Sequence, residues 1–308
     1  MMKIPLIIVC GATASGKTGL GIELAKKPDG EIISADSMQI YKGMDIATAK
    51  PTNEEKDGVV HHLMDFVPPE TEFSVADFVN LAHDKIADIK SRGKTPIVVG
   101  GTGLYIDSLA NDIDFTTDES DRALRAELEK LDTQTLISEL EKVDEKSAKA
   151  LHPNNRKRIV RAVEFYRIYG VPISEHNDET KKKDSRYSPL YLMIDHERET
   201  LYERINKRVD LMMETGLLAE AKGFYAVRDT LSKTARQAIG YSELFEYFDG
   251  KCSQDEAIDA IKQNSRRYAK RQLTWFRRNE KIHRLNPENA TEQALKLCDE
   301  FLSNKKEL

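Results

Sequence analysis

The residues with the clearest chemical meaning form a run of eight near the amino end, GATASGKT at 11–18. The run fits G-x-x-x-x-G-K-[ST] at every fixed position, the pattern of nucleotide-binding phosphate loops, ATP-binding ones included. Its glycines let the backbone fold around an anion, Lys17 neutralises phosphate charge, and Thr18 can hold Mg²⁺ through its hydroxyl. The pattern predicts a phosphate or pyrophosphate site, and the plain alternative is an ordinary glycine turn. The predicted contact residues are Gly11, Ala12, Thr13, Ala14, Ser15, Gly16, Lys17 and Thr18.

A single aspartate is the candidate acid or base beside this loop. Phosphate-loop hydrolases commonly carry a metal-organising Asp at the end of an apolar strand, but the apolar run at 97–99 ends in Gly-Gly-Thr-Gly. Asp36 follows a different apolar run. Parallel strands end at the sheet edge where ligands bind, so we expect Asp36 and Thr102 both to face the anion. Asp36 is then a base or a metal partner, and its plain alternative is a turn or a helix cap.

Alternating strands and helices must hold these residues in place. Short apolar runs predict strands at 4–10, 31–36, 96–99 and 190–194. Apolar residues at helical spacing predict helices at 17–27 and 74–90, the second capped by Ser74. This alternation predicts an α/β fold in which a phosphate-loop type of parallel sheet is flanked by helices.

The middle of the chain has a different pattern. Between residues 118 and 183, leucines recur at helical spacing with charged residues between them, and no run resembles a buried strand. We therefore predict a helical insert domain at 116–189. The core domain is predicted to combine 1–115 with 190–308.

Composition excludes several classes of protein. With 40% apolar and 32% charged residues in 308, the chain has enough apolar side chains for a sizeable core. No apolar run approaches the roughly 20 residues that cross a membrane, so we expect no membrane contact and a cytoplasmic location. The three cysteines share no close spacing, which excludes a disulfide framework and a zinc knuckle.

Positive charge is concentrated in two places, although the net charge is −5. Residues 262–278 hold seven Lys/Arg and no acid, and residues 156–161 hold four Lys/Arg where a helix is predicted to begin. Like charges at helical spacing repel one another, and cations oppose the dipole at a helix start. A polyanion partner would explain both groups, and the plain alternative for each is a solvated helix face.

Nine segments of the chain carry a recognisable combination of residues. They are GATASGKT at 11–18, ISADSMQIYKGMDIATAKP at 33–51, HHLMDFVPP at 61–69, FSVADF at 73–78, VVGGTGLYIDSL at 98–109, HPNNRKRIVRAVEFYRIYG at 152–170, RINKRVDLMMETGL at 204–217, ARQAIGYSEL at 235–244 and KRQLTWFRR at 270–278. Together they resemble the tRNA dimethylallyltransferases, or tRNA isopentenyltransferases, of bacterial type. The zinc finger of eukaryotic members is absent, in keeping with the cysteine count.

The resemblance implies a reaction and a role for four residues. It implies transfer of a dimethylallyl group from dimethylallyl pyrophosphate, with Mg²⁺, to N6 of the adenosine 3′ of the anticodon in tRNA. Asp36 would accept an N6 proton or orient N6, and Arg208 would reach the pyrophosphate from the far side. Lys17 and Thr18 would complete the catalytic set around the leaving group.

The resemblance and the basic groups together imply a surface for the anticodon stem-loop of tRNA. The insert domain is expected to take part in it, and we expect a monomer. Ser37 and Gln39 would hydrogen-bond the adenine or its neighbour, and Thr102 the target nucleotide or the leaving group. The full predicted set is Asp36, Ser37, Met38, Gln39, Thr102, Arg125, Lys157, Arg158, Ile159, Val160, Arg161, Arg236, Gln237, Ala238, Ile239, Gly240, Tyr241, Lys270, Arg271, Arg277 and Arg278.

Three alternative functions remain open at the level of sequence. A small-molecule kinase or NTPase would use the same loop, and an adenylate isopentenyltransferase would perform the same chemistry on free nucleotides. An RNA-binding protein with a relic phosphate loop is the third, although intact Lys17, Thr18 and Asp36 argue against it. The pair His61-His62 could indicate a metal, but neighbouring side chains on a strand diverge and no third ligand is evident. We interpret the pair as structural or polar-contact residues.

Overall fold

The chain forms two compact units in a computed structural model that describes residues 3–27, 29–113, 122–182 and 184–303. One unit joins Met1–Ala110 to Arg186–Leu308, and the other is Asn111–Ser185. The predicted boundary at 190 falls inside a strand, because Tyr187–Ile194 pairs with the first strand from Ile4 onward. Ser188 and Pro189 gave that strand the appearance of a loop in the sequence.

A six-stranded, all-parallel sheet forms the centre of the first unit, in the order β3-β2-β4-β1-β5-β6. Its strands are β1 Ile4–Cys10, β2 Gly30–Ser34, β3 His61–His62, β4 Thr95–Gly100, β5 Tyr187–Ile194 and β6 Ile282–Leu285. The predicted α/β fold and its four strands are confirmed. The two further strands lie at the sheet edges. Both were missed because β3 has only two residues and the middle of β6 is exposed.

The inner strands are apolar because both of their faces are covered. Ile7, Ile8 and Val9 of β1 have no exposed surface. Helices cover both faces of such parallel sheets, and their strands therefore form continuous apolar runs. The parallel pairing of β1 and β2 with β4 brings the carboxyl ends of these strands to one edge, where the candidate site lies.

Ten helices of the first unit surround the sheet, within the residues described. The predicted cap Ser74 forms a capping box, and Ser253 forms another at the start of a later helix. The helices are α1 Lys17–Lys26, α2 Asn53–Lys56, α3 Val75–Ser91, α4 Gly103–Ala110, and, after the insert, α10 Arg198–Glu214, α11 Leu217–Ala226, α12 Lys233–Arg236, α13 Tyr241–Phe248, α14 Gln254–Phe276 and α15 Ala290–Ser303. A short 3-10 helix, Pro287–Asn289, precedes α15.

The insert is helical throughout its described part. Its helices are α5 Arg122–Leu128, α6 Thr133–Val143, α7 Glu145–Ala150, α8 Arg156–Tyr169 and α9 Ile173–Lys182. Leu128, Leu136, Leu140 and Val163 are at most 1% exposed and form its core. In neither unit is any described helix both long and apolar enough to cross a membrane.

A second apolar cluster lies beside the sheet edge that carries the site. Val209 of α10, Leu217 of α11 and Ile261 of α14 pack there with Tyr41 and Met44 from the segment after β2. This cluster gives the site an apolar wall.

Candidate active site

The phosphate loop joins β1 to α1 through three residues with positive φ. Gly11 has φ 144°, Ala14 61° and Gly16 90°. A Cβ at Gly11 would lie 3.2 Å from Cγ of Met193 on β5, so the loop start is also closely packed. Glycine is needed at both ends of the loop for these conformations. The loop thus has the turn that an anion cradle requires.

Helix α10 holds the loop from one side. Arg204 Nε donates to the Ala14 carbonyl at 2.8 Å, and Arg208 donates to the Thr13 hydroxyl. His196, just before α10, donates from Nε2 to the Ser15 carbonyl at 2.9 Å. The predicted partner Arg208 therefore lies at the loop. Sequence reasoning missed Arg204 and His196 as loop supports.

A buried glutamine on α14 holds the loop from another side. The Thr13 amide donates to Gln272 Oε1 at 2.8 Å, and Gln272 Nε2 donates to the Gly101 carbonyl at 2.9 Å. The Thr13 amide is therefore committed to Gln272 and is not free to bind an anion, although Thr13 is among the predicted contact residues. The first amides of α1 have no partner within the helix, as at any helix start, so this end of the loop keeps donors for an anion. Gln272 gave no signal in the sequence beyond its place in the 270–278 segment.

Two cations at the loop are desolvated. Burial lowers the pKa of Lys17 to about 8; Asp36 opposes the shift, and nearby Arg208 adds to it. Burial also lowers the pKa of Arg208, again opposed by Asp36, and Arg208 Nε is buried without a hydrogen-bond partner among the described residues. Lys17 Nζ donates to the Ala12 carbonyl at 3.2 Å. An anion placed here would stabilise both cations.

Asp36 both closes a turn and faces the cations. Its Oδ1 accepts from the amides of Met38 at 2.9 Å and Gln39 at 3.4 Å, which is the turn role named as the plain alternative. Its Oδ2 makes no hydrogen bond to the described residues. One carboxylate oxygen is thereby fixed, and the other is available to a ligand.

Two adjoining cavities meet at these residues. The smaller, of about 50 Å³, is lined by Lys17, Thr18 and His61, and burial lowers the pKa of His61. The larger, of about 230 Å³, has mainly apolar walls. The residues common to both cavities are Thr13, Asp36, Thr48 and Arg208. The larger cavity also has the lining Ser37, Met38, Ala47, Val209, Met212, Leu217, Gln237, Ala238, Ile239, Gly240, Ile261, Ser265, Tyr268 and Arg271.

Gln39 does not have the environment predicted for adenine recognition. Its Nε2 donates to the carbonyls of Thr48 at 3.1 Å and Ala49 at 3.0 Å, and its Oε1 accepts from Ser34 at 3.3 Å. The amide is therefore committed to holding the 48–49 segment. Thr102 Oγ1 accepts from the Ser37 amide at 3.0 Å, so this threonine positions the turn that follows Asp36.

Some residues of the 236–241 segment line the larger cavity, and others make contacts elsewhere in the fold. Gln237, Ala238, Ile239 and Gly240 line the larger cavity. Tyr241 is fully buried and donates its hydroxyl to Glu220 at 2.6 Å, so its predicted contact with RNA is wrong. Arg236 lies half-exposed, 3.7 Å from Asp229.

Glu220 is a further residue that the sequence did not reveal. Its carboxylate accepts from the amides of Asp45 at 2.9 Å, Ile46 at 2.8 Å and Ala47 at 3.1 Å, in addition to the Tyr241 hydroxyl. It thereby fixes the segment whose Ala47 and Thr48 line the larger cavity.

The basic residues between 262 and 278, called here the basic stripe of α14, are partly neutralised by other residues of the chain. Lys262 lies 2.5 Å from Asp210, and Arg266 donates to Asn206 at 2.5 Å, both partners being on α10. Lys262 therefore has its counter-charge on another helix, and a polyanion is not needed to explain this residue. The predicted RNA contacts farther along are exposed, namely Lys270, Arg271, Arg277 and Arg278.

Several basic residues of the insert have structural partners. Burial raises the pKa of Glu164, but hydrogen bonds from Arg125 and Arg161 outweigh that effect and leave it below its ordinary value. Arg156 donates to the Thr133 hydroxyl and to the Glu129 carbonyl, each at 3.0 Å, which explains this cation at a helix start without a phosphate.

The predicted tRNA residues of α8 are therefore of two kinds. Ile159 and Val160 are 1% and 3% exposed in the insert core, so the prediction that they contact RNA is wrong for their side chains. Lys157 and Arg158 are exposed, without an ion-pair partner in the described ranges.

Comparison with known proteins gives one consistent family. The family model described as IPP transferase matches residues 39–279. A tRNA dimethylallyltransferase of Acetivibrio thermocellus is 48% identical over 285 residues, 91% of each chain. That of Bacillus subtilis is 50% identical over 281 residues, 89% of this chain and 88% of the relative.

Solved structures agree with the sequence comparison. The tRNA isopentenylpyrophosphate transferase of Bacillus halodurans superposes with a TM-score of 0.75 at 42% identity, covering 99% of both chains. A eukaryotic dimethylallyltransferase acting on tRNA gives a TM-score of 0.89 at 32% identity, covering 98% of this chain and 80% of that one. The chain belongs to the IPP transferase family.

Proposed function

We propose that this chain transfers the dimethylallyl group of dimethylallyl pyrophosphate to N6 of the adenosine 3′ of the anticodon in tRNA, releasing pyrophosphate. The observation that carries this proposal is the meeting of two desolvated cations and one carboxylate where a phosphate-loop cavity adjoins a larger, mainly apolar one. Family membership and the names of the relatives support the same reaction.

The loop side of the site suits the leaving group. As the allylic C–O bond breaks, negative charge grows on pyrophosphate and positive charge spreads over the allyl group. Lys17, Arg208 and the amides at the start of α1 are preorganised donors for that negative charge. The apolar wall of Val209, Met212 and Leu217 excludes water from the allyl cation.

The residues of the smaller cavity also fit a magnesium ion. No group of three His, Cys, Asp or Glu side chains among the described residues could hold a metal by itself. Mg²⁺ commonly takes one or two protein ligands and completes its shell with phosphate oxygens and water. Thr18 would supply the protein oxygen, and the bound ion would add positive charge against the departing pyrophosphate.

Asp36 is placed to prepare the nucleophile. The N6 lone pair is delocalised into the adenine ring, so a hydrogen bond from N6–H to Asp36 would make it a better nucleophile. Asp36 lines both cavities with Oδ2 free of hydrogen bonds to the described residues, while Oδ1 holds the carboxylate still. The adenosine must leave its stack to reach this point, as bases do in enzymes that modify them.

A labelling experiment tests the proposal. The purified chain is incubated with radiolabelled dimethylallyl pyrophosphate, Mg²⁺ and bulk tRNA, and the digested nucleosides are separated. We expect label in N6-dimethylallyl adenosine from tRNA alone. Label transferred to free AMP instead, or rapid phosphate release from ATP without tRNA labelling, would contradict it.

A further inference from the structure

A histidine whose ring carries a buried, unpartnered nitrogen lines the smaller cavity. His61 lies on β3, and its Nδ1 is 2.9 Å from the Val59 carbonyl. A carbonyl only accepts, so Nδ1 carries the proton and Nε2 presents a lone pair. Nε2 is buried without a partner among the described residues, and His61 lines the cavity with Lys17 and Thr18. The nitrogen is thus a buried, unpartnered acceptor on a residue that lines the cavity of the proposed ion site.

Its neighbour on the strand has a different role. His62 Nε2 lies 2.7 Å from Glu31 Oε2, in an ion network that also contains Arg92 and Lys94. The interpretation of the pair as structural or polar-contact residues therefore describes His62. The two side chains diverge, as neighbours on a strand do.

The donor that suits His61 Nε2 is a water molecule on the ion. A cavity of about 50 Å³ with several polar walls has room for water. An ion held by one threonine and a pyrophosphate keeps water ligands that need acceptors to orient them. Asp36 also lines this cavity, but the proposed function assigns its free oxygen to N6 of the adenosine. No second carboxylate follows β4, because β4 runs into Gly101.

We propose that His61 Nε2 accepts a hydrogen bond from a water ligand of the magnesium ion and so orients the hydrated ion against the pyrophosphate. His61 is then a positioning residue, fixed by Val59 in the way that backbone carbonyls orient histidines around metal sites. The proposal rests on the magnesium site of the proposed function, and it does not depend on which acceptor receives the allyl group.

The test measures ion binding directly. Mn²⁺ replaces Mg²⁺ and is titrated into protein that contains an equimolar amount of pyrophosphate. The free-ion EPR signal, compared with the same titration of pyrophosphate without protein, gives the dissociation constant of the site. His61→Asn retains a donor toward the Val59 carbonyl and removes the group that faces the cavity, whereas His61→Gln restores an acceptor. His62→Asn is the matched control, and Thr18→Val reports whether the ion lies at the loop. Thermal unfolding of every variant is measured alongside.

The expected result is a difference between neighbouring histidines. His61→Asn should weaken Mn²⁺ binding by about 10-fold, at the lower end of what such supporting residues contribute, and His61→Gln by less. His62→Asn should lower the unfolding temperature and leave the Mn²⁺ constant unchanged.

Three results would overturn the proposal. An unchanged Mn²⁺ constant in His61→Asn would do so, as would equal weakening by His62→Asn, which would mean an effect through the fold. Unchanged binding in Thr18→Val would place the ion elsewhere and remove the proposal together with the magnesium site. None of these results bears on tRNA labelling, which tests the transfer reaction by itself.

Discussion

Lys17 and Arg208 lose hydration at the phosphate loop without an ion-pair partner in the described part of the chain. Each has its pKa lowered by burial, and Asp36 compensates only in part. Isolated buried cations are costly, and a bound anion removes that cost. The binding energy of pyrophosphate is therefore expected to depend on the charge of Lys17.

The pKa of Lys17 determines how pyrophosphate affinity changes with pH. With a pKa of about 8 in the free protein, Lys17 is charged below pH 8 and loses its proton above it. Pyrophosphate affinity should therefore fall as pH rises through 8, with proton uptake on binding in the alkaline range. Isothermal titration in buffers of different ionisation enthalpy measures both quantities.

The control for this prediction is Lys17→Arg. A guanidinium keeps its charge, so the variant should show only the pH dependence of pyrophosphate itself. Identical pH profiles for the two proteins would show that Lys17 does not titrate there.

Sequence reasoning at this scale identified Lys17, Asp36 and Arg208 but not the structural roles of two glutamine amides. The roles of Lys17 and Asp36 can be predicted, because short sequence patterns and the strands that precede them identify both residues. The roles of Gln272 and Gln39 cannot, because a glutamine amide serves equally to recognise adenine and to bridge backbone segments. Only the tertiary structure shows which backbone groups lie within reach of each amide.

At the scale of elements, helices α10, α11 and α14 pack beside the sheet edge and form the site together with it. Glu220 of α11 illustrates this, because its carboxylate accepts three consecutive amides of the 45–47 segment. No local pattern joins Glu220 to residues so far away in the chain. The parallel sheet was predictable from apolar runs, whereas this long-range contact was not.

Glu220→Gln should loosen the segment that lines the larger cavity. Whichever oxygen the new NH₂ group replaces, it would face at least one backbone N–H and leave that partly buried donor unsatisfied, at a cost of about 1 kcal/mol. Urea unfolding should show that loss, and the KM for tRNA should rise more than that for dimethylallyl pyrophosphate.

Glu203→Gln, on an exposed position of α10, is the matched control. It should leave stability and both KM values unchanged. Wild-type stability in Glu220→Gln would mean that the four hydrogen bonds are not needed to hold the segment.

On the scale of the whole molecule, an acidic protein presents one exposed basic surface on α14 and the turn after it. Lys270, Arg271, Arg277 and Arg278 form it, whereas Lys262 is paired with Asp210. The sequence predicted the basic stripe but not which of its residues are paired, because Asp210, the partner of Lys262, lies on another helix.

Replacing Arg277 and Arg278 by Gln should weaken tRNA binding in a salt-dependent way. Removing one side chain that neutralises a phosphate reduces the steepness of log K against log salt by about 1. Filter binding over a range of salt concentrations measures the slope. Lys296→Gln, an exposed lysine on α15, should leave it unchanged. Equal slopes for the double variant and the wild type would place tRNA on another surface.

The role of Asp36 is tested most directly by single-turnover transfer from labelled dimethylallyl pyrophosphate to tRNA, with Asp36→Asn against the wild type. The amide keeps an oxygen for the turn at Met38 but cannot accept a proton from N6. We predict a transfer rate lower by about 10²–10⁴-fold, with pyrophosphate affinity unchanged or higher. Transfer at close to the wild-type rate would contradict the assignment of Asp36 as the group that prepares N6.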